Sequence, residues 1–240
     1  MNRFVALVAL GLTACSDPEL EQRIKDLETK VAELEKRGPA APSAAAPSAS
    51  PEQEQAGAAL LKEATEAIDK MDFELAKAKV QEIKTKFGDT RAAKAVVRLD
   101  DDLKVIGKPE APITVEKWYQ GSEADIHGKA TMYVFWEVWC PHCKREVPKL
   151  SETYGKYGGQ GFKVVGVTRQ TKDITDKQVT DFLSENKVSY PIAKDEGEKM
   201  SNYYGVRGIP AAAVVKDGQV VWRGHPAKVT DEMINKWIGG

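Results

Sequence analysis

The chain has 240 residues, 42% hydrophobic and 30% charged, enough apolar material for one good core with accessory segments but not for a second full domain. Its 35 basic and 36 acidic side chains leave a formal net charge of -1, which gives nucleic acid no basic face to find. Three cysteines are too few for a disulfide-stapled scaffold.

Residues 1–14 carry one early charge, Arg3, then an apolar run from Phe4 to Leu12 and small residues before Cys15. The run is too short to span a bilayer and reads as a secretory signal. Leu12-Thr13-Ala14-Cys15 resembles the lipobox of bacterial lipoproteins. That resemblance implies removal of 1–14, a lipid on Cys15 and a membrane-anchored chain in the cell envelope facing the periplasm. Ser16 after the cysteine favours the outer membrane by the sorting rule of enteric bacteria.

Within 15–37, Leu20, Ile24, Leu27, Val31 and Leu34 follow a 4-3-4-3 spacing, with Ile24 and Val31 at heptad position a and the leucines at d. Glu21, Glu28 and Glu35 fall at e, and Arg23, Lys30 and Arg37 at g, so g-to-e pairs attract across a parallel partner. The spacing predicts a short coiled-coil-like helix and a homo-oligomer joined through 20–34; with fewer than three heptads, a solitary amphipathic helix is the alternative. Residues 38–50 are Pro, Ala and Ser without periodicity and are expected to be a linker.

Residues 51–104 predict three helices. Their apolar sets are Ala59, Leu60, Ala64 and Ile68; then Phe73, Ala76, Val80, Ile83 and Phe87; then Ala92, Ala95, Val97, Leu99 and Leu103. Asp72 and Asp89-Thr90 stand where N-caps are needed, with Gly88 as a C-terminal stop. The turn at Met71-Asp72-Phe73 resembles a single tetratricopeptide-like hairpin, which cannot bury its own face and is expected to brace the next domain.

From 105 to 240 strands and helices alternate. Strands are expected at 113–118, 130–137, 162–168 and near 190–193, helices at 144–157, 176–186, 196–204 and 230–238, and a hairpin of 211–216 and 219–223 turning at Asp217-Gly218. The fold class is therefore α/β with a central mixed sheet flanked by helices, preceded by the helical hairpin region.

Trp139-Cys140-Pro141-His142-Cys143 lies between the second strand and the helix after it. That placement puts Cys140 at the positive end of the helix dipole, which favours its thiolate, and puts Cys143 on the same helical face, within reach of a disulfide. Together with Pro148, Tyr204-Gly205-Val206-Arg207-Gly208-Ile209-Pro210, Asp217-Gly218 and Gly224, the motif resembles the thioredoxin superfamily, in its secreted TlpA/ResA-like branch. The resemblance implies a thiol-disulfide oxidoreductase whose only redox group is the Cys140/Cys143 pair, with no cofactor. Cys140 would attack and Cys143 would resolve the mixed disulfide. Trp139, Pro141 and His142 would tune the site, and Ile209 with a cis-Pro210 would bind an extended substrate strand. Its partners would be protein thiols or disulfides and a further redox protein.

Thioredoxin's buried aspartate, six residues before the first cysteine, is Val134 here, which makes Glu137 the nearest acid and a candidate proton acceptor. A peroxiredoxin is disfavoured because the Thr or Ser it needs three residues before the cysteine is also Glu137. No metal is expected, since His127 and His225 lie in presumed loops and a second Cys-x-x-Cys is lacking. Direction stays open: TlpA-like architecture suggests a reductant, whereas Pro-His between the cysteines suggests an oxidant. An oligomeric isomerase and a non-enzymatic adaptor are the other readings.

Overall fold

The structure, a computed structural model, describes residues 18–36 and 49–239, so the signal, Cys15 and nearly all of the linker lie outside the described residues. It divides into two units. The first is represented by α1 (Pro18–Lys36), a helix along which Ile24, Leu27 and Val31 stand 48%, 60% and 52% exposed. Among the described residues no helix is long and apolar enough to cross a membrane.

The second unit begins with three helices, α2 (Pro51–Asp69), α3 (Phe73–Lys86) and α4 (Arg91–Val105). Each start has a chemical cause. Ser50 forms a capping box with Gln53, Asp72 accepts from the Leu75 amide at 3.1 Å, and Thr90 accepts from the Ala93 amide at 3.3 Å. Ala64, Ala67, Ala76, Val80, Ile83, Ala92, Val96 and Leu103 form their shared core. The expected third apolar set is out by one position: Val97 is 56% exposed and Ala95 is exposed, because 92, 96, 99 and 103 keep the helical stripe in one line while 97 lies a quarter turn away. Ala59 likewise faces out, and buried Gly57 takes the place against Thr90 and Ala92.

The six-stranded sheet has the order β1-β4-β3-β2-β5-β6, built from β1 (Val115–Gln120), β2 (Ala130–Trp136), β3 (Phe162–Thr168), β4 (Ile192–Asp195), β5 (Ala211–Lys216) and β6 (Gln219–Gly224). β2, β3 and β4 run parallel, while β1, β5 and β6 pair antiparallel to their neighbours. β2 is buried along its whole length because both faces are covered. Met132, Val134 and Trp136 enter one core with α5 (Pro141–Tyr157), α6 (Asp176–Glu185) and α8 (Asp231–Gly239). Tyr133 and Phe135 enter the other, with Val105 and with Met200 of α7 (Lys199–Tyr203).

Two elements depart from expectation for local reasons. The fourth strand starts at Ile192 rather than near Tyr190, since Pro191 has no amide to give the ladder. The single helix expected at 196–204 is a short turn followed by α7, broken where Gly197 and Glu198 adopt positive φ. The buried Asp195 carboxylate accepts from the amides of Met200 and Ser201 at 3.0 and 2.8 Å, and so opens a second helix start there.

The helical region belongs to the same unit as the sheet. Met71 and Phe73, in the α2–α3 turn, pack on the core that holds both cysteines. On α4, Asp102 faces buried Arg223 of β6 at 3.4 Å.

Candidate active site

β2 ends at Trp136, and the chain passes through Glu137, Val138 and Trp139 before Cys140 caps α5. The cap is made by sulfur: the Cys143 amide donates to Cys140 Sγ at 3.5 Å, with Pro141 at the first helical position, where a missing N–H does no harm. The sulfurs are unbonded, as in a dithiol, and Cys140 Sγ donates to the Ile209 carbonyl at 3.7 Å. Ile209–Pro210 is a cis peptide, with Pro210 buried and Ile209 half-buried. The structure thus brings Cys140, Cys143, Ile209 and Pro210 together from segments about seventy residues apart.

The two thiols differ sharply. Cys143 is fully buried with Val134 and Val147 in the same apolar cluster, and burial pushes its thiol well above the ordinary range; the neighbouring Cys140 and Glu137 charges push the same way, against a backbone hydrogen bond at Glu137 that pulls it down. Cys140, 4% exposed, is also buried but stands at the helix start, beside the exposed Pro141 and His142.

Glu137, 1% exposed, sits at the centre of a network that the sequence did not show. Its Oε2 accepts from Trp139 Nε1 at 2.7 Å, from the Thr171 hydroxyl at 2.6 Å and from the Thr171 amide at 3.0 Å. Its Oε1 faces Arg169 Nη2 at 3.3 Å, and Arg169 also reaches Glu198 at 3.1 Å. Lys172 Nζ stands 3.4 Å above the Trp139 ring. Arg169, Thr171 and Lys172 lie beyond β3, more than thirty residues from Glu137, and no motif marks them. Glu137→Gln is expected to lower stability by about 2 kcal/mol in denaturant melts, since its amide NH2 must face either the Arg169 guanidinium or the Thr171 amide and Trp139 indole N–H groups, all of which only donate.

Pro141 and His142 are exposed on the first turn of α5. Arg145 Nη2 lies 2.7 Å from His142 Nδ1; a guanidinium only donates, so that ring nitrogen is the acceptor. His225 is half-buried, and burial lowers its pKa, with Glu146 opposing and His142 among the groups adding to the shift, so the two imidazoles share one neighbourhood. His127 is exposed and is not drawn into the site's hydrogen bonds.

This geometry agrees with known relatives. Over 126 residues the chain is 34% identical to a protein named thiol-disulfide oxidoreductase ResA of Bacillus thuringiensis strain Al Hakam, covering 51% of this chain and 70% of that one. Residues 108–223 match the AhpC/TSA family model. The chain belongs to the thioredoxin-like AhpC/TSA family. It is a thiol-disulfide oxidoreductase. Sporulation thiol-disulfide oxidoreductase A of Bacillus subtilis strain 168 is 26% identical over 133 residues, 54% of this chain and 81% of that protein. Among solved structures, a thiol:disulfide interchange protein DsbE from Chlorobium tepidum aligns at a TM-score of 0.48 and 23% identity, over 56% of this chain and 98% of its own. The family match begins at 108, and so leaves α2–α4 outside it.

Proposed function

We propose that this oxidoreductase is a lipid-anchored reductant of protein disulfides, held in the bacterial envelope through Cys15 and working through the Cys140/Cys143 dithiol. Cys140 thiolate attacks a client disulfide and releases one client thiol. Cys143 then loses its proton and attacks Cys140, releasing the second thiol and leaving the Cys140–Cys143 disulfide. Two electrons and two protons pass to the client, and a thiol donor must reduce the enzyme for the next turn. Ile209 offers its backbone to the client strand beside Pro210. Glu137 acts by positioning, holding Trp139 against the site rather than carrying a proton. The apolar stripe of α1 joins a second copy in a parallel coiled coil, its g and e charges in register.

The observation that favours reduction is the complete burial of Cys143 in an apolar cluster. A thiol pushed up by burial, as in Cys143, makes a poor leaving group and a stable disulfide. Equilibration with glutathione redox buffers tests the direction. The expected potential lies near thioredoxin's, about -270 mV, whereas a value near the DsbA figure of about -120 mV makes the protein an oxidant.

A further inference from the structure

Beside the thiol site, the α2–α3 turn faces the segment from β6 to α8 across an open cleft of about 930 Å³. Its floor is apolar, with Met71 from the turn, Trp222 from β6 and Met233 from α8. Its rim is basic. Lys70, Arg98 and Lys236, all exposed, come from the three sides, against one unpaired acid, Glu232. The other lining charges are already matched: Asp69 faces Lys228 at 3.8 Å, and Arg223 is turned to Asp102 and three backbone carbonyls.

Arg98 connects this cleft to the chemistry. It has no hydrogen bond or ion pair among the described residues, and its guanidinium lies 3.6 Å from where a Cβ on Gly208 would stand. Gly208 immediately precedes Ile209, whose carbonyl meets Cys140 Sγ. His225, another lining residue, reaches electrostatically to His142 on α5. A chain whose cysteine meets Cys140 and whose backbone lies along Ile209 therefore runs past Arg98 into the cleft. There its carboxylates meet separated cations, and an apolar side chain meets Met71, Trp222 and Met233.

We propose that this cleft binds an acidic, extended segment of the client polypeptide next to the reacting cysteine, which makes the helical region part of the substrate site rather than a brace alone. The inference rests on the proposed thiol-disulfide exchange at Cys140. The cations are spread over three elements and do not converge on one point, which suits several carboxylates along a chain better than one small anion.

The test uses the full reduced chain and three peptides, each with one cysteine in mixed disulfide with 2-mercaptoethanol. Their flanks are acidic, neutral or basic and otherwise identical. Rates are followed by tryptophan fluorescence, with 2-hydroxyethyl disulfide as a neutral probe of exchange itself. At low salt the acidic peptide is expected to react about tenfold faster than the neutral one, the basic peptide slower still. The preference should shrink toward unity at about 0.5 M salt. Lys70→Glu with Lys236→Glu, both at exposed positions, should lower the acidic-to-basic rate ratio at least fivefold. Equal rates for the three wild-type peptides, or a faster basic peptide, overturn the cleft while leaving exchange at Cys140 intact. Failure of wild type to react even with 2-hydroxyethyl disulfide overturns the exchange reading and the cleft with it.

Discussion

Cys143→Ala is expected to accumulate covalent adducts with client proteins through Cys140, while Cys140→Ser lowers exchange by at least about 10³-fold. The asymmetry follows from where the two thiols stand on α5 and from the raised Cys143 thiol. Cys140 caps α5 beside the exposed Pro141 and His142 and touches the Ile209 carbonyl, where a client backbone would pair. Cys143 is fully buried three residues on, with its thiol pushed up, so no client sulfur reaches it and little of it is thiolate at neutral pH. The sulfur within its reach is that of Cys140, whose Sγ already accepts the Cys143 amide hydrogen. Removing Cys143 leaves attack intact and blocks escape, so the mixed disulfide persists until an outside thiol cleaves it. Non-reducing gels and intact mass, before and after dithiothreitol, read the result. Adducts that form through Cys143 in the Cys140→Ser protein, or exchange that survives that substitution, would remove Cys140 from the role of attacking thiol.

The parts of this molecule that were legible in its sequence are those that local chemistry dictates. β3 starts and stops at the expected residues because Phe162–Thr168 is an apolar run bounded by Gly161 and a polar segment, and the hairpin turns at Asp217-Gly218 because both accept positive φ. The cysteine motif announces itself by spacing. What stayed hidden depends on partners distant in the chain. Glu137 is an acid three residues before Cys140 in any reading, but its meaning comes from Trp139 together with Arg169 and Thr171, which only the packing of the loop after β3 supplies. Val96 and Val97 have the same chemistry, and which of them is buried is fixed by how α4 lies on α2 and α3. Arg223 reads as an ordinary charge at a strand end, whereas its side chain is 4% exposed and joins the helices to the sheet.

Arg223→Leu is expected to destabilise the fold by about 3 kcal/mol at neutral pH, the largest stability effect among these substitutions. The guanidinium donates to the carbonyls of Tyr204, Ala212 and Gly224, and all three lose that donor. It also stands against Asp102, whose carboxyl burial pushes up, with Arg223 the strongest opposing charge, Arg98 and Lys228 helping it and Asp101 working the other way. Desolvation outweighs the cations, so the folded state holds the Asp102 proton more tightly than the unfolded chain does. That contribution to stability is present at acid pH and is lost as pH rises from the ordinary carboxylate range through the folded value. Without Arg223 the folded value climbs further, so the variant's deficit should shrink on going from about pH 7 to about pH 4, where Asp102 accepts a proton. Asp102→Asn should be milder, because Arg223, though it loses its carboxylate, keeps its three carbonyls. Arg223→Leu with Asp102→Leu should recover part of the loss, which separates the lone carboxylate from the orphaned carbonyls. Denaturant melts of the four proteins at both pH values decide it. A deficit that does not depend on pH would mean that the lost carbonyl hydrogen bonds alone account for it, and that Asp102 merely accompanies them.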